Sequence, residues 1–193
     1  MKVVFVTSNS AKVIVARAAL GRYGIELAQR KLKIEEIQAL DVREVAIWKA
    51  KIASKRVRAP FIVEDSGLEI KSLNGFPGAL LKPFHETIGA GRLLRLVHGS
   101  RSATFINTVA FCNPLSRAIK TFSTTLAGTL SNTPGCKKIT DWSISDIFIP
   151  EGWKKTISDF SKSEMQEFRL ELEGHTPYAA FGKWYRSKTA SPS

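Results

Sequence analysis

Short apolar runs that break off in polar clusters set the pattern of this chain. Lys2–Val6 is one such run and predicts a buried strand. The polar stretch Thr7–Lys12 follows. Val13, Ala16 and Leu20 then recur at helical spacing, with Gly21 and Gly24 where a helix would stop. Asp41 and Glu44 have the spacing of a capping box ahead of a second helix, whose apolar stripe is Val45, Trp48 and Ile52. Pro60 ends that region. Phe61–Val63 predicts another buried strand, and it runs straight into Glu64-Asp65-Ser66-Gly67.

The second half is read in the same way. Asn74–Gly78 is a turn cluster, and Glu86–Val97 predicts a helix with Leu93, Leu94 and Leu96 apolar. Thr104, Ile106, Thr108 and Ala110 alternate with Phe105, Asn107, Val109 and Phe111. Ser102–Cys112 and Ala118–Leu130 therefore read as two extended segments joined at Asn113-Pro114. Ile144–Ile149 predicts a further strand, and Glu164–Glu173 and Ala179–Tyr185 two helices separated by Gly174 and Pro177. The expected fold is mixed α/β, a long sheet flanked by helices. With no internal repeat and no linker-like stretch, residues 1–187 read as a single domain. Residues 188–193, rich in Ser, Thr and Pro, read as a flexible tail.

Composition narrows the function classes. A chain of 193 residues with 44% apolar and 24% charged residues can bury a core of its own. No apolar run approaches the roughly 20 residues that span a bilayer, so no membrane partner is expected. The apolar Met1–Thr7 stretch is too short for a signal peptide. Cys112 and Cys136 make a poor disulfide framework and are expected as free thiols in the cytoplasm. Neither they nor His85, His98 and His175 have zinc-ligand spacing. The formal charge of +12 favours polyanionic partners. Nucleic-acid motifs are absent from the pattern, which leaves small phosphorylated substrates or a merely solvated basic surface.

Three polar clusters carry the candidate chemistry. Thr7–Lys12, between a strand and a helix, could offer backbone N–H groups and the Lys12 charge to a phosphate. An ordinary helix capped by Ser8 or Ser10 explains the same residues. Glu35-Glu36 could supply a carboxylate to Mg²⁺, or be a solvated face. Glu64-Asp65 is harder to set aside. Two acids follow an apolar run at the C-terminal end of a strand, where open α/β sheets bind ligands, and burying acids there is costly without compensation.

In this order and spacing the clusters resemble the inosine triphosphate pyrophosphatase (Ham1-like) family. Phe61–Phe84, FIVEDSGLEIKSLNGFPGALLKPF, is similar to that family's strand, acidic turn and NGFPG loop. TSNSAK at Thr7–Lys12 resembles its phosphate loop, and Glu36 falls where the family keeps a metal-binding glutamate. Lys49 matches a lysine that reaches substrate phosphates, and Arg101–Phe111 and Asp146–Thr156 continue the likeness. The resemblance implies an elongated α/β protein of two lobes around a central cleft, commonly a homodimer. It implies hydrolysis of a nucleoside triphosphate, in the family a deaminated purine such as ITP, dITP or XTP, to monophosphate and pyrophosphate. Mg²⁺ would be held by Glu36 and Asp65, and Asp65 or Glu64 would activate the attacking water. Substrate contacts would come from Thr7, Ser8, Asn9, Lys12, Lys49 and Ser66. On the base side they would come from Trp142, Ser145, Lys155 and His175.

The likeness fails on that base side. Where the family carries an aromatic-rich F-G-[YWF]-D-P segment, this chain has Trp142-Ser143-Ile144-Ser145-Asp146. The family's Lys-Asn and Ser-His-Arg places hold Met165-Gln166 and Arg169-Leu170-Glu171; a shifted alignment puts Gly174-His175-Thr176 at the second. Base choice is therefore expected to be relaxed or altered, because such pockets discriminate through those polar groups. A nucleotide- or nucleic-acid-binding protein that has lost catalysis is the alternative, and so is a related pyrophosphatase for pyrimidine or modified nucleotides.

Overall fold

The first apolar run forms β1 (Lys2–Val6), and the helix after it is α1 (Ser10–Gly21). A computed structural model describes residues 1–135 and 144–189. The chain continues through β2 (Glu26–Arg30), α2 (Val42–Ser54), β3 (Phe61–Ile70), β4 (Pro77–Gly78), α3 (Leu81–Leu96), β5 (Ser102–Cys112), β6 (Ile119–Leu130) and β7 (Phe148–Pro150). It closes with α4 (Lys162–Glu171) and α5 (Pro177–Thr189). The strands make one mixed sheet in the order β2-β1-β3-β5-β6-β7, with β4 also paired to β3. β1 runs parallel to β2 and β3, and the remaining pairings are antiparallel.

Alternation along the strands divides the core between the two faces. Ile62 and Val109 pack with Val13, Ala16 and Leu20 of α1 and with Tyr178 and Phe181 of α5. Phe61, Val63 and Ala110 point the other way, onto Ala46, Ala50 and Ala53 of α2. A third cluster gathers Leu68, Ile70, Leu93, Ala103 and Phe148 at the far end of the long β3-β5-β6 ribbon. The two lobes are these two ends of one sheet.

Several expectations are corrected by packing. The strand expected over Phe61–Val63 does not stop at the acids. β3 carries Glu64 and Asp65 in its interior and runs on to Ile70, because β5 pairs with it over its whole length. β2 went unread because its pattern ELAQR buries only Leu27; it forms as a polar edge strand along β1. The strand expected over Ile144–Ile149 is instead a 3₁₀ turn at Ile144–Asp146 followed by β7, which meets β6 only at Gly128–Leu130. Gly128 permits that approach, since a Cβ there would lie 2.6 Å from the Phe148 ring. α3 begins at Leu81 and breaks at Gly89, where φ is 75°. Helix α5 extends through Thr189, two residues into the expected tail, with the Thr189 hydroxyl bonded to Tyr185 O.

Lys155 belongs to this framework. It pairs with Glu164 Oε2 at 2.8 Å, and Glu164 closes a reciprocal capping box with Ser161 at the start of α4. The Lys155 hydrogen bond, followed by those from Ser161, holds the Glu164 carboxyl down at about 2. A depressed carboxylate stabilises the fold above its unfolded value and stops doing so as pH falls towards its folded one. The melting-temperature gap between wild type and Glu164→Gln is therefore expected to close as pH is lowered from about 5 to about 2. A gap that stays constant over that range would remove the assignment.

Candidate active site

β1 pairs with β3 only at Val4–Phe61 and Phe5–Ile62, and β4 joins the same edge at Leu68 and Glu69, so between Val63 and Gly67 this edge of β3 is open. The chain leaves β1 through α1 towards β2 on one side, while β3 lies on the other. That is the topological switch point at which open α/β sheets hold ligands. A cleft of about 490 Å³ lies there. Thr7, Ser8, Asn9, Lys12, Glu36, Lys49, Glu64, Asp65 and Ser66 all line it, so nine of the thirteen sequence-derived candidates need no second site.

The cap of α1 is Asn9 rather than either serine. Its side-chain oxygen accepts from Lys12 N at 3.2 Å, and its own N–H donates to Thr7 Oγ1. Gln29 of β2 donates to Thr7 O at 3.1 Å and steadies the loop from below. Glu36 sits on the irregular segment before α2. The Trp48 indole ties that segment to α2 through Glu35 O at 2.9 Å, and Ala79 N ties it to the β4 turn through Leu40 O at 2.8 Å.

Neighbours on a strand point to opposite faces, and the acids follow that rule. Asp65 faces α2, where Lys49 Nζ lies 2.6 Å from its Oδ1 and 2.7 Å from Glu36 Oε1. Glu64 faces α1 and α5. Its Oε2 is 3.2 Å from Lys12 Nζ and accepts from the Tyr178 hydroxyl at 2.9 Å. Each lysine is paired directly with one acid, because a buried carboxylate without a counter-charge is costly.

Burial is the largest influence on Lys49 and lowers its pKa, but Asp65 and then Glu36 outweigh it and the net shift is upward. Burial raises Asp65 against the opposing charge and hydrogen bond of Lys49. Tyr178 is pushed well above 10 by burial and then by the Glu64 charge, so its hydroxyl keeps its proton and donates.

Asp65 Oδ2 is buried and has no hydrogen-bond partner, while Glu36 beside it is about half exposed. Among the described residues no group of three or more His, Cys, Asp or Glu could hold a metal ion unaided. The donor set is thus one or two carboxylates next to open space. It fits a hard ion such as Mg²⁺ that brings substrate oxygens and water with it.

A sequence profile of the Ham1 family matches residues 3–170. The chain belongs to the Ham1 family. This Ham1 chain is 34% identical over 192 residues to the dITP/XTP pyrophosphatase of Methanopyrus kandleri, covering 98% of itself and 99% of that protein. It is 37% identical over 166 residues to the dITP/XTP pyrophosphatase of Pyrococcus horikoshii, covering 85% and 87%. It is 35% identical over 164 residues to the inosine triphosphate pyrophosphatase of Yarrowia lipolytica, covering 84% and 85%. The Ham1 fold itself is matched by the Coxiella burnetii HAM1 protein, with a TM-score of 0.76 at 20% identity over 98% of each chain.

The base-side candidates do not gather at the cleft. Ser145 is buried in the 3₁₀ turn before β7, Lys155 pairs with Glu164 in the first turn of α4, and His175 is exposed between α4 and α5. None of these three lines the cleft, and Trp142 lies outside the described residues. Conversely, Lys33 and Lys82 line the cleft without having been singled out, although Lys82 sits within the quoted NGFPGALLKPF stretch. Tyr178 had no sequence signal, since its partner is 114 residues away. No helix among the described residues is long and apolar enough to cross a membrane.

Proposed function

We propose that this protein is a magnesium-dependent nucleoside triphosphate pyrophosphatase that releases a nucleoside monophosphate and pyrophosphate. The observation that carries this reading is the unpartnered, buried Asp65 Oδ2 in a cleft also lined by Lys12, Lys49 and the α1 N-terminus. Relatives named dITP/XTP pyrophosphatase, similar over nearly the whole chain, support it.

The two adjacent acids take different parts. Glu64 already has two donors on one oxygen, so it serves to hold Lys12. Asp65 has an oxygen to spare and is the group to orient a water and accept its proton. Glu36 and Asp65 would hold the metal. When bound, Mg²⁺ offsets the negative charge that phosphate oxygens develop during cleavage. Thr7, Ser8 and Asn9 present the α1 N-terminus to the polyphosphate, and Lys12 and Lys49 bind the departing pyrophosphate. Ser66 touches the substrate beside the bond that breaks, between the α-phosphorus and the oxygen bridging to the β-phosphate.

The substrates are proposed to be non-canonical purine nucleotides such as ITP, dITP and XTP, with base preference relaxed or altered. Met165 and Gln166 stand at the family's Lys-Asn places, and with Phe160 and Arg169 they line a separate hollow of about 480 Å³. A panel of ITP, dITP, XTP and the common ribo- and deoxyribonucleotides with Mg²⁺ is expected to give pyrophosphate, not orthophosphate. Preference for ITP and XTP over the rest would remove the altered specificity. Folded protein that turns over no nucleotide would remove the enzyme reading.

A further inference from the structure

Buried hydroxyl-to-carboxylate contacts need a reason, because an apolar pair of the same shape often stabilises a core as well or better. Tyr178 makes such a contact with Glu64. Its ring is seated by packing alone: it lies edge-on to Phe5, with centroids 5.9 Å apart, among Val3, Leu20 and Phe181. A phenylalanine would fill the same seat. The hydroxyl adds a donor at one place, Glu64 Oε2, which Lys12 Nζ also approaches.

The two lysine pairs of the cleft differ in a way this donor explains. Lys49 is 2.6 Å from Asp65 and Lys12 is 3.2 Å from Glu64. Glu64 is the more deeply enclosed of the two carboxylates, with only 4% of its side chain exposed, so it needs its donors at least as much. Tyr178 supplies one, so Lys12 is not the sole donor to the Glu64 charge. A lysine released from full duty to its counter-ion can turn its remaining donors towards phosphate.

We propose that Tyr178 is a positioning residue: by sharing the charge of Glu64 it keeps the Lys12 ammonium available to the polyphosphate at the mouth of the α1 loop. The inference rests on the pyrophosphatase reading. It links the C-terminal helix to the phosphate site through one hydrogen bond.

The test is direct binding of inorganic pyrophosphate by calorimetry, with no turnover involved. Tyr178→Phe is expected to weaken pyrophosphate binding roughly tenfold, the scale of one hydrogen bond to a charged group. KM for the nucleotide should rise with it, while kcat changes less. In the Lys12→Met background, Tyr178→Phe is expected to have no further effect on pyrophosphate affinity, since its influence runs through Lys12. Leu93→Ala, in the core cluster at the far end of the sheet, should lower the melting temperature and leave pyrophosphate affinity unchanged. Equal affinity for wild type and Tyr178→Phe overturns the inference and leaves the pyrophosphatase reading standing. So does a loss that persists in the Lys12→Met background or is matched by Leu93→Ala. Wild-type protein that binds no pyrophosphate overturns both.

Discussion

Asp65→Asn is expected to lower pyrophosphate release on the order of a thousandfold, the scale of losing a positioned acid or base. The substitution removes one charge and keeps the shape. Asparagine can still accept from Lys49 at the position of Oδ1, and Glu36 remains 2.7 Å from the same ammonium. The fold should therefore survive, with a stability loss of about 1–3 kcal/mol for a charged hydrogen bond made neutral. What disappears is the capacity of the second oxygen to take a proton or share a cation. Glu64→Gln is a different experiment, since it removes the counter-charge of Lys12 rather than the open oxygen. Activity of Asp65→Asn within tenfold of wild type, under saturating nucleotide and Mg²⁺, would sink the assignment of Asp65 as the reacting carboxylate.

The second large effect is expected far from any charge. Gly78 has φ of 55°, and a Cβ there would run into the backbone of Leu40. Leu40 ends the segment that carries Glu36, and its carbonyl accepts from Ala79 N at 2.8 Å. Gly78→Ala combines left-handed backbone strain with overpacking, together about 2–4 kcal/mol. For a chain of this size that lowers the melting temperature by roughly 5–15 °C. The relief available to the mutant is to push Leu40 outward, which moves Glu36 as well. Metal dependence should shift accordingly: the Mg²⁺ concentration giving half-maximal activity is expected to rise, while nucleotide KM at saturating metal changes less. A stable Gly78→Ala protein with unaltered metal dependence would show that the β4 turn does not position Glu36.

The lower half of the site was legible in the sequence because it is local. Thr7–Lys12 and Glu64–Ser66 each sit where an apolar run ends or turns polar, and the fold brings those two stretches together at one switch point. Lys49 came from the family resemblance, on a helix whose cap was legible: Asp41 accepts from Arg43 N and Glu44 N. The stripe expected there was misread, since Trp48 is exposed and the buried face is Val42, Val45, Ala46, Ala50 and Ala53. Three things were not legible. The path of β3 through the acids could not be read, because strand formation there is driven by β5 pairing, some 40 residues on. The direct pairing of each acid with a lysine depends on strand register, which local pattern does not give. Tyr178 looks like any aromatic on a C-terminal helix until the helix is docked. The base side stayed unread for a different reason. Lys155 answers to Glu164 and Ser145 is buried in a turn, so those positions obey framework packing and leave no site pattern to read.

Because Glu64 and Asp65 are neighbours on one strand, their division of labour is a matter of parity. Sliding β3 by one residue against β5 would put each acid on the opposite face: moved one way, Glu64 takes the place beside Lys49 while Val63 takes the place beside Lys12 and Tyr178. With the roles proposed for these acids, turnover would double as a gauge of correct strand alignment, and a misthreaded sheet would be silent even with every side chain present.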